Sequence, residues 1–183
     1  MQTEVIMSGF GGQGLMMIGK LLAKSGLDEG KSVTWLPSYG PEMRGGTANC
    51  TVVIADHPIG SPLISSPKAA VVMNQPSLEK FAPKLKKGGV LVINSTMIPV
   101  NSDRTDVTKF RIRADDIASE MGSRRSANLV MLGAYIGLQE VVSHETILKA
   151  IEKAFASKKK FLDVNRKTFL KGYELAKAGK SDE

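Results

Sequence analysis

The sequence predicts an open, mainly parallel α/β sheet with helices on both faces, formed by one domain over residues 1–183. Three observations carry this expectation. Short apolar runs such as "AAVVMN" and "GVLVIN" lack polar alternation and are separated by stretches of helical periodicity, the pattern of parallel strands buried on both faces. A glycine cluster, "GFGGQG" at Gly9 to Gly14, falls between the first apolar run and the first helical stretch, where such sheets make a tight strand-to-helix turn. A chain of 183 residues with 42% hydrophobic and 23% charged side chains can fill one ordinary core, and no internal repeat divides it.

The elements follow in order. "TEVIMS" (Thr3 to Ser8) reads as the first strand, and Gly12 to about Gly30 as a helix with Leu15, Ile18, Leu22 and Leu27 near one face. "SVTWL" is a second strand closed by Pro37, followed by the loop "PSYGPEMRGG" with three glycines and two prolines in ten residues. "TANCTVVIAD" makes a third strand. After the turn-rich "HPIGSPLISSP", the two continuous apolar strands flank a helix over "PSLEKFAPKLKK", and "KFRIRAD" adds an edge strand. Helices are expected over Asp115 to Met121, Ala127 to Val142, Ser143 to Ala156 and Val164 to Ala178, with "SKKK" as the only low-complexity piece.

Composition narrows the function classes. No apolar run reaches the roughly 18 to 20 residues of a membrane span, and "MQTEVIMSGF" lacks a basic segment followed by an apolar one, so a cytoplasmic location without membrane association is expected. The single Cys50 provides no disulfide framework and no thiolate set for zinc or an iron–sulfur cluster, so no metal site is expected and any redox metal belongs to another chain. The net charge is +7, and much of the excess lies after Lys149. Lysines spread along amphipathic helices read first as a solvated or partner-facing surface. No aromatic platform or helix-turn-helix pattern accompanies them, so no nucleic-acid partner is expected. His57 in a turn and His144 at a helix start are isolated and read as structural or exposed.

Two stretches carry chemistry. Gly9, Gly11 and Gly14 form the Rossmann-like GxGxxG: the first for a tight turn, the second for close ligand approach, the third for helix–strand packing, with an anion at the helix N-terminus. Gly12 and Gln13 add a further bare residue and an amide that both donates and accepts. "SVTWL" ends without the Asp or Glu that would hold a dinucleotide ribose; tight packing alone is the bland explanation of the glycines. In "SYGPEMRGGTANC", Glu42 and Arg44 are framed by Gly40, Gly45 and Gly46, which places a planar bidentate donor at the ligand-binding edge of the sheet. The alternative is a surface ion pair of little consequence.

Together, "GFGGQG", "SYGPEMRGGTANC" and "NLVMLGAYIGL" (Asn128 to Leu138), in this order and spacing, resemble the gamma subunit of 2-oxoacid:ferredoxin oxidoreductases over nearly the whole chain. The wording "YGPEMRGG" is most similar to the 2-oxoglutarate branch, with the branched-chain 2-oxoacid and pyruvate branches next. The resemblance implies a complex in which thiamine diphosphate with Mg2+ decarboxylates the 2-oxoacid, 4Fe–4S clusters pass electrons to ferredoxin, and coenzyme A accepts the acyl group. Those cofactors would sit on alpha and beta subunits, and on a ferredoxin-like delta subunit where the complex has one. The present chain would be inactive alone and would self-associate, as a homodimer, when isolated. Within the complex, Gly9, Gly11, Gly12, Gln13, Gly14, Tyr39 and Arg44 are the candidate cofactor-facing residues, with Glu42 and Arg44 the candidates nearest catalysis. Two rivals stay open: a free-standing nucleotide-binding oxidoreductase, and a non-catalytic basic binding module.

Overall fold

The structure, a computed structural model, describes residues 1–38 and 47–182. Six strands form one sheet: β1 (Gln2–Phe10), β2 (Ser32–Ser38), β3 (Thr47–Ala55), β4 (Ala69–Val72), β5 (Val90–Asn94) and β6 (Thr108–Ile112), in the order β2-β3-β1-β4-β5-β6. β1, β4, β5 and β6 are parallel neighbours, whereas β3 runs antiparallel between β1 and β2. The sheet is therefore mainly parallel, as expected, with one reversed strand. The C-terminal ends of β1, β2, β4, β5 and β6 share one edge with the start of β3, because Phe10 pairs with Thr47 and Ser38 with Asn49.

The helices are α1 (Leu15–Asp28), α2 (Gln75–Phe81), α3 (Ala114–Glu120), α4 (Ala127–Leu138), α5 (His144–Phe155) and α6 (Lys159–Lys177). Several boundaries differ from the sequence expectation for identifiable reasons. Pro37 lies inside β2 rather than closing it, which an edge strand tolerates because one of its sides carries no ladder bonds. The helix expected over residues 76–87 ends at Phe81 and tightens into a 3-10 turn, Ala82–Lys84, at Pro83, whose missing N–H and bulky ring cannot continue it. α1 begins only at Leu15, since Gly12 and Gly14 have φ of 91° and 77° and so lie outside helical space. α4 stops at Leu138, four residues before the expected Val142, and α6 starts at Lys159, five residues before Val164. Ser143 is the N-cap of α5, its Oγ accepting from the Thr146 amide.

The larger core layer lies on the α1 and α4 face of the sheet, with Val5, Met7, Val52, Val71 and Val92 directed into it. α4 is buried from Ala127 to Gly137 because α6 covers its outer side. The two helices touch backbone to backbone: a Cβ on Gly133 would lie 2.0 Å from the Phe169 carbonyl oxygen, and one on Gly172 would lie 2.0 Å from that of Val130. Gly133 and Gly137 on α4 and Gly172 on α6 are the bare positions that permit this approach. The opposite face is covered by α2 and by residues 95–107. Arg111 holds that segment by donating to the carbonyls of Ile98 (3.1 Å) and Val100 (2.6 Å). Arg104 ties it to the carbonyls of Ala82 (2.9 Å) and Leu85 (3.0 Å). No helix among the described residues is long and apolar enough to cross a membrane.

Cys50 lies in the core under α1, its Sγ 3.5 Å from the Leu15 carbonyl oxygen. Burial pushes its thiol up to about 12. We expect no reaction with an aromatic disulfide reagent at pH 8 in the native protein and prompt reaction in denaturant. Because the folded thiol titrates above the unfolded one, the associated stability is present below the ordinary thiol range and is lost as pH rises from that range toward 12. Rapid native labelling at pH 8 would contradict this placement.

Candidate functional site

The C-terminal edge of the sheet brings the first glycine motif together with residues that the sequence reading did not select. Gly9 is the penultimate residue of β1, not part of the turn. Its bareness makes room for Gln13: a Cβ at Gly9 would lie 2.3 Å from Gln13 Oε1, the atom that accepts from the Phe10 amide at 2.6 Å. The Gln13 amide in turn donates to the Phe10 carbonyl at 3.3 Å, so the side chain and backbone of one residue close the loop.

Gly14 caps α1 in the left-handed conformation, and no side chain caps that helix start. A Cβ there would lie 2.3 Å from Asn128 Nδ2, which donates to the Gly14 carbonyl at 3.1 Å. The third glycine therefore permits an approach to α4 rather than the expected helix–strand packing. Asn128, from "NLVMLGAYIGL", is the residue that fixes the glycine loop to the central helix. With no acidic residue in the first turn of α1, the positive end of its dipole faces the loop uncompensated.

Two cavities border this loop. One, of about 360 Å³, is lined by Gly12, Gln13, Met73, Asp115, Arg125 and Asn128, with Arg124 at its rim. The other, of about 220 Å³, lies between Phe10, Gly11, Gly12, Met16 and Ala48. Arg124 donates from Nε to Asp115 Oδ1 at 3.0 Å, and Asp115 also accepts from Asn94 Nδ2 at 2.6 Å. Arg125 is exposed and makes no ion pair among the described residues. The wall of the larger cavity thus offers one guanidinium anchored on the Asp115 carboxylate, one available guanidinium and the amide side chains of Gln13 and Asn128, while the start of α1 borders the smaller cavity. That set suits a phosphate or carboxylate. Among the described residues, no group of three or more His, Cys, Asp or Glu side chains could hold a metal ion.

Tyr39, Glu42 and Arg44 lie outside the described residues. The described strands on either side pair Ser38 with Asn49 and Thr47 with Phe10. Of the residues selected from sequence, Gly9, Gly11, Gly12, Gln13 and Gly14 stand together at the C-terminal edge of the sheet. Arg124 and Arg125 were missed because adjacent exposed arginines leave no periodic signal; their place directly before the Asn128 motif was the available clue. His144 stacks on Tyr173 with ring centroids 4.5 Å apart, on the helical layer and away from the glycine loop, in keeping with a structural role. The dinucleotide rival has a specific geometric difficulty: β3 separates β1 from β2, so the strand end that would present a ribose-binding acid is not beside the glycine strand.

Residues 4–175 match the protein-family model described as pyruvate ferredoxin/flavodoxin oxidoreductase. The chain is 38% identical over 177 residues to the ketoisovalerate oxidoreductase subunit VorA of Methanothermobacter thermautotrophicus; the match covers 96% of this chain and 37% of VorA. The chain thus spans little more than a third of that relative's length. It is 37% identical over 180 residues to the 2-oxoglutarate synthase subunit KorC of Methanocaldococcus jannaschii, covering 97% of this chain and 95% of KorC. Among solved structures it superposes on the gamma subunit of a keto/oxoacid ferredoxin oxidoreductase from Geobacter sulfurreducens with a TM-score of 0.84 and 32% identity, covering 96% of this chain and 99% of that one. On the 2-oxoglutarate:ferredoxin oxidoreductase from Magnetococcus marinus, solved with 2-oxoglutarate, coenzyme A and succinyl-CoA bound, the TM-score is 0.90 at 25% identity, over 100% of this chain and 32% of that one.

Proposed function

The chain belongs to the pyruvate ferredoxin/flavodoxin oxidoreductase family, and from that premise we propose that it is the gamma subunit of a 2-oxoglutarate:ferredoxin oxidoreductase and completes the active site with partner subunits. The observation that carries this reading is the end-to-end match to KorC, 97% of one chain against 95% of the other, together with an anion-suited cavity at the glycine-loop edge. The reaction is 2-oxoglutarate plus coenzyme A, giving succinyl-CoA, CO2 and a proton, with the two electrons released passing one at a time to two one-electron equivalents of oxidised ferredoxin. Thiamine diphosphate, Mg2+ and 4Fe–4S clusters on the partners supply decarboxylation and electron transfer.

This chain's own residues bind and orient. Arg125 holds an anionic group of coenzyme A or the substrate carboxylate, Arg124 lends charge while anchored on Asp115, and the uncompensated start of α1 faces the smaller cavity alongside. Gln13 and Asn128 keep the glycine loop in one shape, so that bound anions meet preset donors. Arg44, in the segment between β2 and β3, adds a bidentate fork to the same anion. The complex works in the cytoplasm, and the isolated chain pairs with itself.

In the assembled complex, kcat/KM is expected to be highest for 2-oxoglutarate, followed by branched-chain 2-oxoacids and pyruvate. Arg44→Lys keeps the charge and removes the planar fork, so kcat/KM should fall by about 1.5 to 3 kcal/mol, the scale of one hydrogen bond to a charged group, with assembly intact. A preference for pyruvate or branched substrates would reassign the substrate. Unchanged kcat/KM for both the 2-oxoacid and coenzyme A in Arg44→Lys would remove residues 39–46 from the site.

A further inference from the structure

We propose that the groove between α1 and α5 seats an amphipathic helix from a partner subunit, one whose apolar face is edged by carboxylates. The inference rests on the chain's being a subunit of a larger complex, and adds where and by what chemistry it is held. The groove encloses about 560 Å³; its floor is Met16, Met17, Leu21, Ala150 and Ala154. Lys20, Lys24 and Lys153 rim it.

Charge, shape and position each select this occupant. Lys24 and Lys153 share a single carboxylate, Asp28, with Lys153 Nζ at 3.8 Å from Oδ2, while Lys20 lies over the Trp35 ring at 5.0 Å and makes no ion pair among the described residues. Three ammonium groups against one carboxylate leave an excess of two positive charges around an apolar floor. A second copy of this chain, itself at +7, is a poor electrostatic match, whereas an acidic-edged helix is complementary.

The floor residues of α1 recur at i, i+1 and i+5, and those of α5 at i and i+4, so the apolar floor follows the helix axes for somewhat more than one turn, roughly 8 Å. Ala150 and Ala154 let another helix approach closely, and the two methionines adapt to its side chains. Met16 also lines the small cavity beside Gly11 and Gly12, which makes the groove continuous with the glycine-loop edge. A partner that shares that edge runs directly onto the groove.

The test co-expresses the chain with the thiamine-diphosphate and iron–sulfur subunits and follows assembly by native mass spectrometry and sedimentation. Two variants are compared with the wild type: the triple reversal Lys20→Glu, Lys24→Glu, Lys153→Glu, and the apolar change Met17→Glu. We expect either variant to weaken assembly at least ~10-fold, and wild-type assembly to weaken between about 50 and about 500 mM salt while residual assembly of the triple variant does not. The reversed lysines are exposed, so the isolated triple variant should still fold, with only a modest drop in melting temperature from the new carboxylates beside Asp28. If the wild type and both variants assemble equally at all salt concentrations, the groove is not the seat and the proposal fails while the subunit reading stands. If the variants lose only self-association of the isolated chain, the occupant is a second copy and the proposal is overturned. If the wild type joins no such complex, the subunit reading itself fails, and this proposal with it.

Discussion

Replacing Gly133 with alanine is expected to destabilise the chain by about 3 kcal/mol or more, seen as a lower urea midpoint at unchanged slope. The added Cβ would lie 2.0 Å from the Phe169 carbonyl oxygen and 2.9 Å from the Tyr173 amide nitrogen. Both are backbone atoms of α6, so no rotamer change relieves the overlap, and the helices must part. Extra methylenes in a packed core usually cost about 1 to 3 kcal/mol, and the upper end applies where only backbone can yield. Parting is especially damaging here because α4 is buried from Ala127 to Gly137 and contacts the sheet on its other side. Gly60, where a Cβ would meet nothing within 4 Å, is the control, and alanine there should leave the midpoint nearly unchanged. Equal midpoints for Gly133→Ala and wild type would mean that α4 and α6 do not meet as described.

Removing both arginines of the larger loop cavity should have the greatest catalytic effect. Arg125 is the available cation of that wall, and Arg124, held 3.0 Å from Asp115, is the fixed one. Each hydrogen bond from a guanidinium to an anion contributes about 1.5 to 3 kcal/mol, so Arg124→Ala with Arg125→Ala should lose about 3 to 5 kcal/mol in kcat/KM for the anion bound there. Arg125→Ala alone should account for most of the loss, since Arg124 spends part of its hydrogen-bonding capacity on Asp115. Steady-state kinetics varying coenzyme A and 2-oxoglutarate in turn identify the anion by which KM responds. Wild-type values for both would leave the cavity without a role in the reaction.

Several features were legible in the sequence because local physics dictates them. The continuous apolar runs at β4 and β5, the helix expected from Ser143 to Ala156 and the glycine turn before α1 each follow from neighbouring residues, and all formed close to where expected. The direction of β3 was not legible: "TANCTVVIAD" is equally apolar whichever way it runs, and its antiparallel pairing with both β1 and β2 emerges only in the fold. Proline was misread in two opposite senses, Pro37 being tolerated on an edge and Pro83 ending a helix that periodicity alone would extend. The glycine loop was found, but its partners were not. Met73, Asp115 and the neighbouring pair Arg125 and Asn128 come from three separate places in the chain, and only the fold assembles them. Gly172 escaped notice for the same reason, since the backbone it makes room for lies on α4.

The central claim is that this chain completes, at its glycine-loop edge, an active site whose cofactors reside on partner subunits. It is tested most directly by coenzyme A-dependent reduction of a viologen dye with 2-oxoglutarate, measured on the complete complex, on the same complex prepared without this chain, and on the chain alone. The account predicts turnover for the complete complex, loss of coenzyme A-dependent turnover when the chain is omitted and its recovery when the chain is added back, with none from the chain by itself. Full activity without this chain, or turnover by the purified chain, would contradict it.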